Sequence, residues 1–285
     1  MDIARLRLKC PSAVKPLRCV VVTLLVIAFP LSAQAGSFTL FQASGPDAAS
    51  IQGAVDAFRA ALGDPNNANA SGPLTTGRRE INWDGGGQSI TDSPTPFTGF
   101  QNIRGATFTT PGTGFIQAPP SLLATDSRFD PSYASFATFS DPRVFSPVGS
   151  PQTTMTFSVP GTNGALAATT IGFGAVFSDV DSSANASLTF VNRQGLSQGT
   201  FSVPAADNGL SFLGLIFPNL PFSQVNLVSG NQELGVAESG TIDIIVMDDF
   251  LYKEPAAVPE PATLLLLGAS AVGVSVAARR KRRMS

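Results

Sequence analysis

Turn-forming residues recur along the middle of this 285-residue chain and limit what it can fold into. Between residues 36 and 258, Gly, Pro, Asn and Asp interrupt the sequence about every ten residues, a spacing typical of sandwiches and barrels. The runs between them alternate, so that Ile171, Phe173 and Phe177 share one face of an extended strand. The pattern predicts a mainly β protein, an antiparallel β-sandwich or jelly roll, formed by one domain over 36–258.

The candidate strands are short runs rich in β-branched or aromatic side chains. They fall at 37–42, 81–83, 107–110, 114–117, 134–139, 155–159, 171–177, 187–192, 200–203, 210–217, 224–228 and 242–252. A cluster of Pro, Gly and Ser at 147–151 offers an alternative boundary between two smaller domains, but we favour a single one.

One segment has the period of a helix. Its apolar residues are spaced by three or four positions: Ile51, Val55, Phe58 and Leu62. Asp47 or Ser50 can cap its start, and Gly63 can end it. We therefore predict one short amphipathic helix over about 48–62, packed on a sheet through this apolar stripe.

The first 35 residues have the pattern of a secretory signal. Five basic residues precede an apolar run at 20–29 that is too short to span a bilayer comfortably. Ala33 and Ala35 then place small side chains at the cleavage positions before Gly36. The sequence predicts a signal peptide over 1–35, with a signal helix that signal peptidase removes; an uncleaved anchor is the alternative.

The C-terminus has three parts in a fixed order. The first is a stiff, non-helical stop: Val258, Pro259, Glu260 and Pro261. Residues 262–278 follow without a charge, and as a helix they measure about 25 Å, marginal for a hydrocarbon core of about 30 Å. The last part is a basic cluster: Arg279, Arg280, Lys281, Arg282 and Arg283. The order predicts a transmembrane helix whose basic end stays in the cytoplasm.

These three parts resemble the PEP-CTERM sorting signal of Gram-negative bacteria over residues 259–285. The resemblance implies processing by an exosortase, a membrane-embedded cysteine transpeptidase-like enzyme that cuts near Pro-Glu-Pro. It also implies a transient membrane anchor, then release or transfer to the cell surface or extracellular matrix, in association with exopolysaccharide and biofilm genes. An ordinary single-pass anchor is the alternative. Residues 77–85 also resemble segments of uncharacterised exosortase substrates, without implying a biochemical role.

The composition excludes several classes of chemistry. The chain has no His, and Cys10 and Cys19 both lie in the signal segment, so the exported domain lacks Ser-His-Asp or Cys-His catalysis and N or S metal ligands. Residues 36–258 keep 18 acidic but only eight basic residues, a net charge of about −10. We expect no nucleic-acid partner. Divalent cations and neutral glycans remain suitable partners.

The last predicted strand contains an acidic pair. By period-two counting, Asp248 shares a face with Ile244, Val246 and Phe250, whereas Asp249 points the other way. A carboxylate in an apolar face needs a cation or several donors, and Ca²⁺ prefers oxygen ligands. Resemblance to bacterial sandwich domains with an acidic pair on the last strand also implies Ca²⁺. The alternative is that Asp248 sits at a bend or pairs with an Arg.

A second acidic pair follows the strand at 171–177. Asp179 and Asp181 are two residues apart and can face the same way at the end of the strand. They resemble part of a calcium loop but lack the Gly and the closing Glu of an EF-hand. The alternatives are a Ca²⁺ site and an ordinary acidic turn.

The single tryptophan lies in the segment Asn82, Trp83, Asp84. An exposed Trp83 could stack on a sugar ring while Asn82 and Asp84 bond its hydroxyls. The alternative is a core Trp before a turn. The glycines that follow are not a phosphate loop, because no Gly-Lys-Ser/Thr follows them.

Taken together, the residues predict an exported, surface-sorted domain that is not an enzyme and has a structural or adhesive role in the matrix. The first alternative is a lectin-like module that binds carbohydrate, such as exopolysaccharide, with Ca²⁺. The second is a glycoside hydrolase that uses carboxylates alone, which requires two carboxyl groups about 5–10 Å apart across a cleft.

Overall fold

The computed structural model describes residues 37–258. The predicted signal peptide over 1–35, the apolar helix over 262–278 and the basic tail over 279–283 lie outside the described residues. Among residues 37–258, no helix is long and apolar enough to cross a membrane.

The predicted amphipathic helix is confirmed as α1 (Ala48–Leu62). Asp47 caps it: its Oδ1 accepts hydrogen bonds from the backbone N of Ser50 at 2.9 Å and from Ser50 Oγ at 2.7 Å. Gly63 ends the helix with a φ of 88°, a backbone conformation that glycine adopts at little cost. All four apolar residues of the predicted stripe are buried.

The rest of the domain is built mainly from strands. They are β1 (Thr39–Gly45), β2 (Arg78–Ile81), β3 (Thr91–Pro94), β4 (Ala106–Thr109), β5 (Gly114–Ala118), β6 (Val144–Val148), β7 (Gln152–Phe157), β8 (Ala168–Thr169), β9 (Gly172–Val180), β10 (Ala186–Val191), β11 (Ser197–Ser202), β12 (Ala206–Ile216), β13 (Gln224–Ser229), β14 (Val246–Lys253) and β15 (Ala256–Ala257). Two short helices are α2 (Gln101–Arg104) and α3 (Pro120–Leu123).

The strands form two main antiparallel sheets. The first sheet has the order β1-β12-β9-β14-β6-β5-β3, with β2 also paired to β14. The second has the order β11-β10-β13-β7-β4, and β8 and β15 form a separate pair. Apolar residues from both main sheets form one core cluster, which includes Phe108 and Phe190 from the second sheet and Phe173 and Phe250 from the first. The predicted mainly β, antiparallel fold is confirmed.

The first sheet is covered on its other face as well. Helix α1 packs there on β9, β12 and β14, and a separate apolar cluster joins Phe58 to Val176, Phe212 and Leu251. Every residue of β9 is buried as a result. Gly174 and the facing Gly214 make room for the ring of Phe58, because a Cβ on Gly174 would lie 2.9 Å from Phe58 Cε1.

The period-two interpretation of the last strand is wrong because β14 contains a β-bulge. Met247 pairs with Phe177 and Phe250 pairs with Ala175, so β14 advances three residues while β9 advances two. The extra residue reverses the alternation. Met247 and Phe250 both face the core between the sheets, whereas Val246 packs in a different cluster on the other side.

The strand assignment differs from the structure in two further ways. Residues 134–139 form no strand, because Asp130 caps a 3₁₀ turn at Pro131–Ser135 by accepting a hydrogen bond from the backbone N of Ser132 at 2.9 Å. Strands β3 and β6 were not predicted, because each contains a Pro, which lowers the expectation of a strand.

Candidate functional site

Asp179 and Asp181 belong to a larger cluster of carboxylates at the end of β9. Oxygens of Asp179, Asp181 and Asp207 lie within 4.8 Å of one another, and so do oxygens of Asp181, Glu238 and Asp243. Asp207 lies at the start of β12, and the other two precede β14. Three separate segments therefore bring five acidic side chains together, with Asp181 common to both groups.

Local backbone geometry positions this cluster. Asp179 adopts a left-handed φ of 67°, an uncommon conformation for a residue other than glycine. Its Oδ1 accepts a hydrogen bond from the backbone N of Asn208 at 2.6 Å, which ties the end of β9 to the start of β12. Glu238 Oε1 accepts a hydrogen bond from the backbone N of Ile244 at 3.2 Å.

Asp243 is the most buried member of the cluster, and one of its oxygens is unsatisfied. Asp243 is only 1% exposed. Oδ2 accepts hydrogen bonds from the backbone N of Ser182 at 3.2 Å and from Asn185 Nδ2 at 2.9 Å. Oδ1 is buried and has no donor among residues 37–258. A buried acceptor without a partner is costly, so this oxygen is suited to a cation ligand.

The electrostatics of the cluster also favour a cation. Burial, followed by repulsion from Asp243, Asp207 and Asp179, raises the pKa of Asp181 to about 6. Burial, followed by repulsion from Asp179, raises the pKa of Glu238 to about 7. No Lys or Arg among the described residues forms a salt bridge with the cluster. Such a set of oxygen ligands suits Ca²⁺.

Asp248 and Asp249 lie in the bulge of β14 and not in this cluster. Asp248 is 0% exposed, and its Oδ2 accepts hydrogen bonds from the backbone N of Phe139 at 2.7 Å and of Ser140 at 3.2 Å. Its Oδ1 accepts from the backbone N of Asp249 at 2.8 Å and lies 3.2 Å from Ser140 Oγ, which has a single hydrogen and is closer to Asp249 Oδ1, at 2.6 Å. Burial and the neighbouring Asp249 raise the pKa of Asp248 well above its usual value.

These bonds give Asp248 and Asp249 a structural role. Three backbone N–H groups donate to the two oxygens of Asp248, so both oxygens already accept hydrogen bonds. Asp249 accepts from Ser140 Oγ at 2.6 Å and forms a salt bridge with Arg59 at 3.4 Å. For Asp248 the arrangement agrees with the alternative of a position at a bend and not with an arginine pair, since the arginine contact belongs to Asp249. The bonds of Asp248 fix the segment at 139–140 to β14.

Trp83 lies in the core. It is 2% exposed, and its ring stacks on Phe145 with a centroid distance of 3.8 Å and an interplanar angle of 7°. Its Nε1 donates to the backbone O of Asp248 at 3.3 Å. Asp84 accepts a hydrogen bond from the backbone N of Arg143 at 3.0 Å. These contacts agree with a core Trp before a turn and not with an exposed platform for a sugar ring.

A cavity of about 390 Å³ nevertheless lies beside Trp83. Phe97 and Phe100 contribute aromatic walls, and Asn82 lies at its edge. The basic and amide side chains that line it are Arg104, Arg143 and Gln117. No carboxylate of residues 37–258 lines this cavity.

The sequence does not predict most of the residues of the carboxylate cluster or of the cavity beside Trp83. Asp207, Glu238 and Asp243 join Asp179 and Asp181 only through the pairing of β9 with β12 and β14. Arg143 is isolated in the sequence and reaches the cavity because β6 pairs with β5. A local motif identifies neither group.

Comparison with known proteins identifies the C-terminus. Residues 257–283 match the PEP-CTERM protein-sorting motif, which includes the predicted Pro-Glu-Pro stop at 259–261 and the basic cluster at 279–283. No curated protein and no solved structure matches the chain. The weaker resemblance of residues 77–85 to exosortase substrates has no support from these comparisons.

The chain therefore carries a PEP-CTERM sorting signal, as its residues predicted. This signal supports an exported protein that an exosortase processes, with a location at the cell surface or outside the cell.

Proposed function

We propose that the domain over 36–258 has a non-catalytic structural or adhesive role in the extracellular matrix, and that a Ca²⁺ ion stabilises its fold. The sorting motif at 257–283 supports the location. The observation that carries the calcium proposal is Asp243 Oδ1, a buried oxygen without a donor among the described residues, surrounded by other carboxylates. An extracellular domain without a disulfide gains rigidity from such an ion.

The proposed ligand set has two parts. Asp179 and Asp243 are buried and supply oxygens from the inside, whereas Asp181 and Asp207 are exposed. Glu238 lies between these two levels of exposure. The ion would lie among Asp181, Glu238 and Asp243, next to the unsatisfied Asp243 Oδ1, and would join the end of β9 to the segment before β14. It would also reduce the repulsion between this group and the adjoining carboxylates of Asp179 and Asp207.

The non-catalytic part of the proposal has support from the cavity beside Trp83. A hydrolase that uses carboxylates alone needs an acid and a base across a cleft. No carboxylate among residues 37–258 lines this cavity. A second cavity, of about 360 Å³, is lined by Glu80 and Asp249, but both of these carboxylates are paired with Arg59. The buried Asp248 accepts hydrogen bonds from three backbone N–H groups through its two oxygens.

The exposure of Asp181 and Asp207 favours a second candidate, a lectin-like module in which Ca²⁺ binds sugar hydroxyls. An ion at the outer part of the cluster would keep coordination positions open toward solvent. This candidate predicts chelator-sensitive retention on exopolysaccharide, whereas a purely structural ion predicts only a change in stability.

Thermal unfolding of the exported protein, purified from producing cells, tests the calcium proposal. After thorough treatment with chelator at pH 8, adding Ca²⁺ at about 100 times its dissociation constant should stabilise the fold by about 2.7 kcal/mol. Asp243→Asn should abolish this gain. Glu233→Gln is the matched control, because Glu233 is an exposed acid in the same segment but outside the cluster. A melting temperature that Ca²⁺ leaves unchanged would remove the calcium site from the proposal.

A further inference from the structure

Arg143 is a buried arginine whose guanidinium is only partly satisfied by residues 37–258. It is 1% exposed, and among residues 37–258 it forms no salt bridge. Its Nη2 donates to the backbone O of Gln117, but its Nε is buried and has no acceptor. A buried guanidinium without a counter-ion is unfavourable, so its presence beside a cavity needs an explanation.

Arg79 is the other buried arginine among residues 37–258, and its guanidinium has a purely structural role. Its Nε and Nη2 donate to both oxygens of Glu254, at 2.6 and 2.8 Å. Its Nη1 donates to the backbone O of Ala68 at 2.7 Å and of Ala70 at 2.8 Å. Arg79 is therefore neutralised and satisfied within the domain, whereas Arg143 is neither.

The turn after Trp83 holds the guanidinium of Arg143 in place. A Cβ on Gly86 would lie 2.0 Å from Arg143 Nη1, so the glycine backbone lies directly against the guanidinium. The Asp84 carboxylate attracts this charge through space, but it accepts its hydrogen bond from the backbone N of Arg143 and forms no salt bridge with the guanidinium. The Gly-rich segment thus positions the arginine and leaves its charge unpaired.

A second cation lines the same cavity. Arg104 is half-buried, and its guanidinium lies 5.0 Å from the ring centroid of Phe100. It donates from Nε to Asn69 Oδ1 at 2.9 Å and from Nη1 to the backbone O of Glu80. It forms no salt bridge with a carboxylate of residues 37–258. The cavity is therefore positive, although the domain as a whole is acidic.

We propose that this cavity binds the carboxylate of an acidic sugar, with Arg143 and Arg104 as its anion ligands. Guanidinium groups match a carboxylate in geometry and charge. The half-buried aromatic walls of Phe97 and Phe100 suit the apolar face of a sugar ring, and Asn82 and Gln117 can bond its hydroxyls. A volume of about 390 Å³ is that of a small-ligand pocket. The ligand class is a hexuronate unit of a polysaccharide.

This site is distinct from the carboxylate cluster and does not depend on a metal ion. Its lining includes no residue of the proposed calcium centre. Binding to the arginines should therefore persist in chelator, whereas stabilisation by Ca²⁺ should not. The two proposals can accordingly fail separately.

The test is calorimetric titration of the exported protein with glucuronate and with galacturonate. Methyl glucoside serves as a neutral sugar and acetate as a small carboxylate. We expect at least one uronate to bind measurably more tightly than both controls, with the same affinity in Ca²⁺ and in chelator. Arg104→Gln and Arg143→Gln should each weaken uronate binding at least tenfold. Arg128→Gln is the control, because Arg128 is an exposed arginine paired with Asp92 and Asp126, outside the cavity.

Each result of the titration supports or overturns a stated part of the proposal. Absence of uronate binding by the wild-type protein would overturn the proposal, as would equal binding of methyl glucoside. Acetate binding as tight as uronate binding would overturn the sugar assignment, and loss of uronate binding in chelator would overturn the assignment to the arginines. If Arg143→Gln does not fold, Arg104→Gln still decides, because its half-buried side chain is not part of the central core.

Discussion

Without a divalent cation, the domain should become less stable as the pH rises from 5 to 8. The reason lies in the carboxylate cluster at the end of β9. The pKa of Glu238 is raised from 4.5 to about 7, and that of Asp181 from 3.8 to about 6. A carboxyl group with a folded-state pKa above its unfolded value binds protons more tightly in the folded state. Its stabilising contribution is complete near pH 4 and is lost as the pH rises through about 6 to 7.

The size of the effect follows from these shifts. Each pKa unit corresponds to about 1.4 kcal/mol, so the shift of Glu238 from 4.5 to about 7 has an upper limit of about 3.5 kcal/mol. Glu238 is half-buried and Asp181 is exposed, so solvent screening reduces the combined loss to about 2 kcal/mol. For a domain of this size, that corresponds to a fall in melting temperature of about 4–8 °C.

The assay is thermal unfolding in chelator at pH 5 and at pH 8. Asp248, with its raised pKa, contributes in the same direction. Glu238→Gln is therefore compared with Glu233→Gln, and only the first should reduce the pH dependence. Ca²⁺ at pH 8 should restore the lost stability of the wild-type protein. A melting temperature in chelator that is constant or rises between pH 5 and pH 8 would refute the reasoning.

Three further predictions concern the fold and the sorting signal. Glu254→Gln should destabilise the domain by about 3–5 kcal/mol in urea unfolding, because it leaves the buried Arg79 charged and unpaired; a loss below 1 kcal/mol would contradict this. Gly174→Ala should destabilise the domain by about 1–3 kcal/mol, because the added Cβ would press against the ring of Phe58 on α1. On α1 itself, a Cβ added at Gly53 meets no other atom, so Gly53→Ala should stabilise the domain by about 0.4–1 kcal/mol. Equal effects of the two glycine changes would show that the close approach is unimportant. Deleting 259–285 should abolish retention at the cell surface, measured by fractionation and immunoblot, and unchanged retention would refute the role of the motif.

The sequence predicts those parts of the fold in which the signal is local. Helix α1 is such a case, because its apolar period and its Asp47 cap lie within one segment. The same holds for β9, which alternation indicates directly. The C-terminal sorting signal is likewise one continuous motif.

Features that depend on residues far apart in the sequence could not be predicted, for identifiable physical reasons. Period-two counting assumes that every residue of a strand is paired. The bulge at 248–249 adds an unpaired residue, so residues before and after it that counting assigns to one face lie on opposite faces. Asp181 was a candidate from its neighbour Asp179, but Asp243 comes from a segment about 60 residues away and converges with them only in the folded sheet. The unpaired state of Arg143 depends on which groups surround it, and no residue spacing encodes that.

The position of β14 has a consequence for the order of export and folding. This strand is the last long one in the chain, yet it lies inside the first sheet, bonded to β9 on one side and to β6 and β2 on the other. The sheet cannot close until β14 has emerged from the translocation channel, and Lys253 precedes the Pro-Glu-Pro stop by only a few residues. Completion of the fold thus coincides with the export of the segment just before the sorting signal. Any pull on the C-terminal end of the domain would be borne by an interior strand, in which many hydrogen bonds must break together.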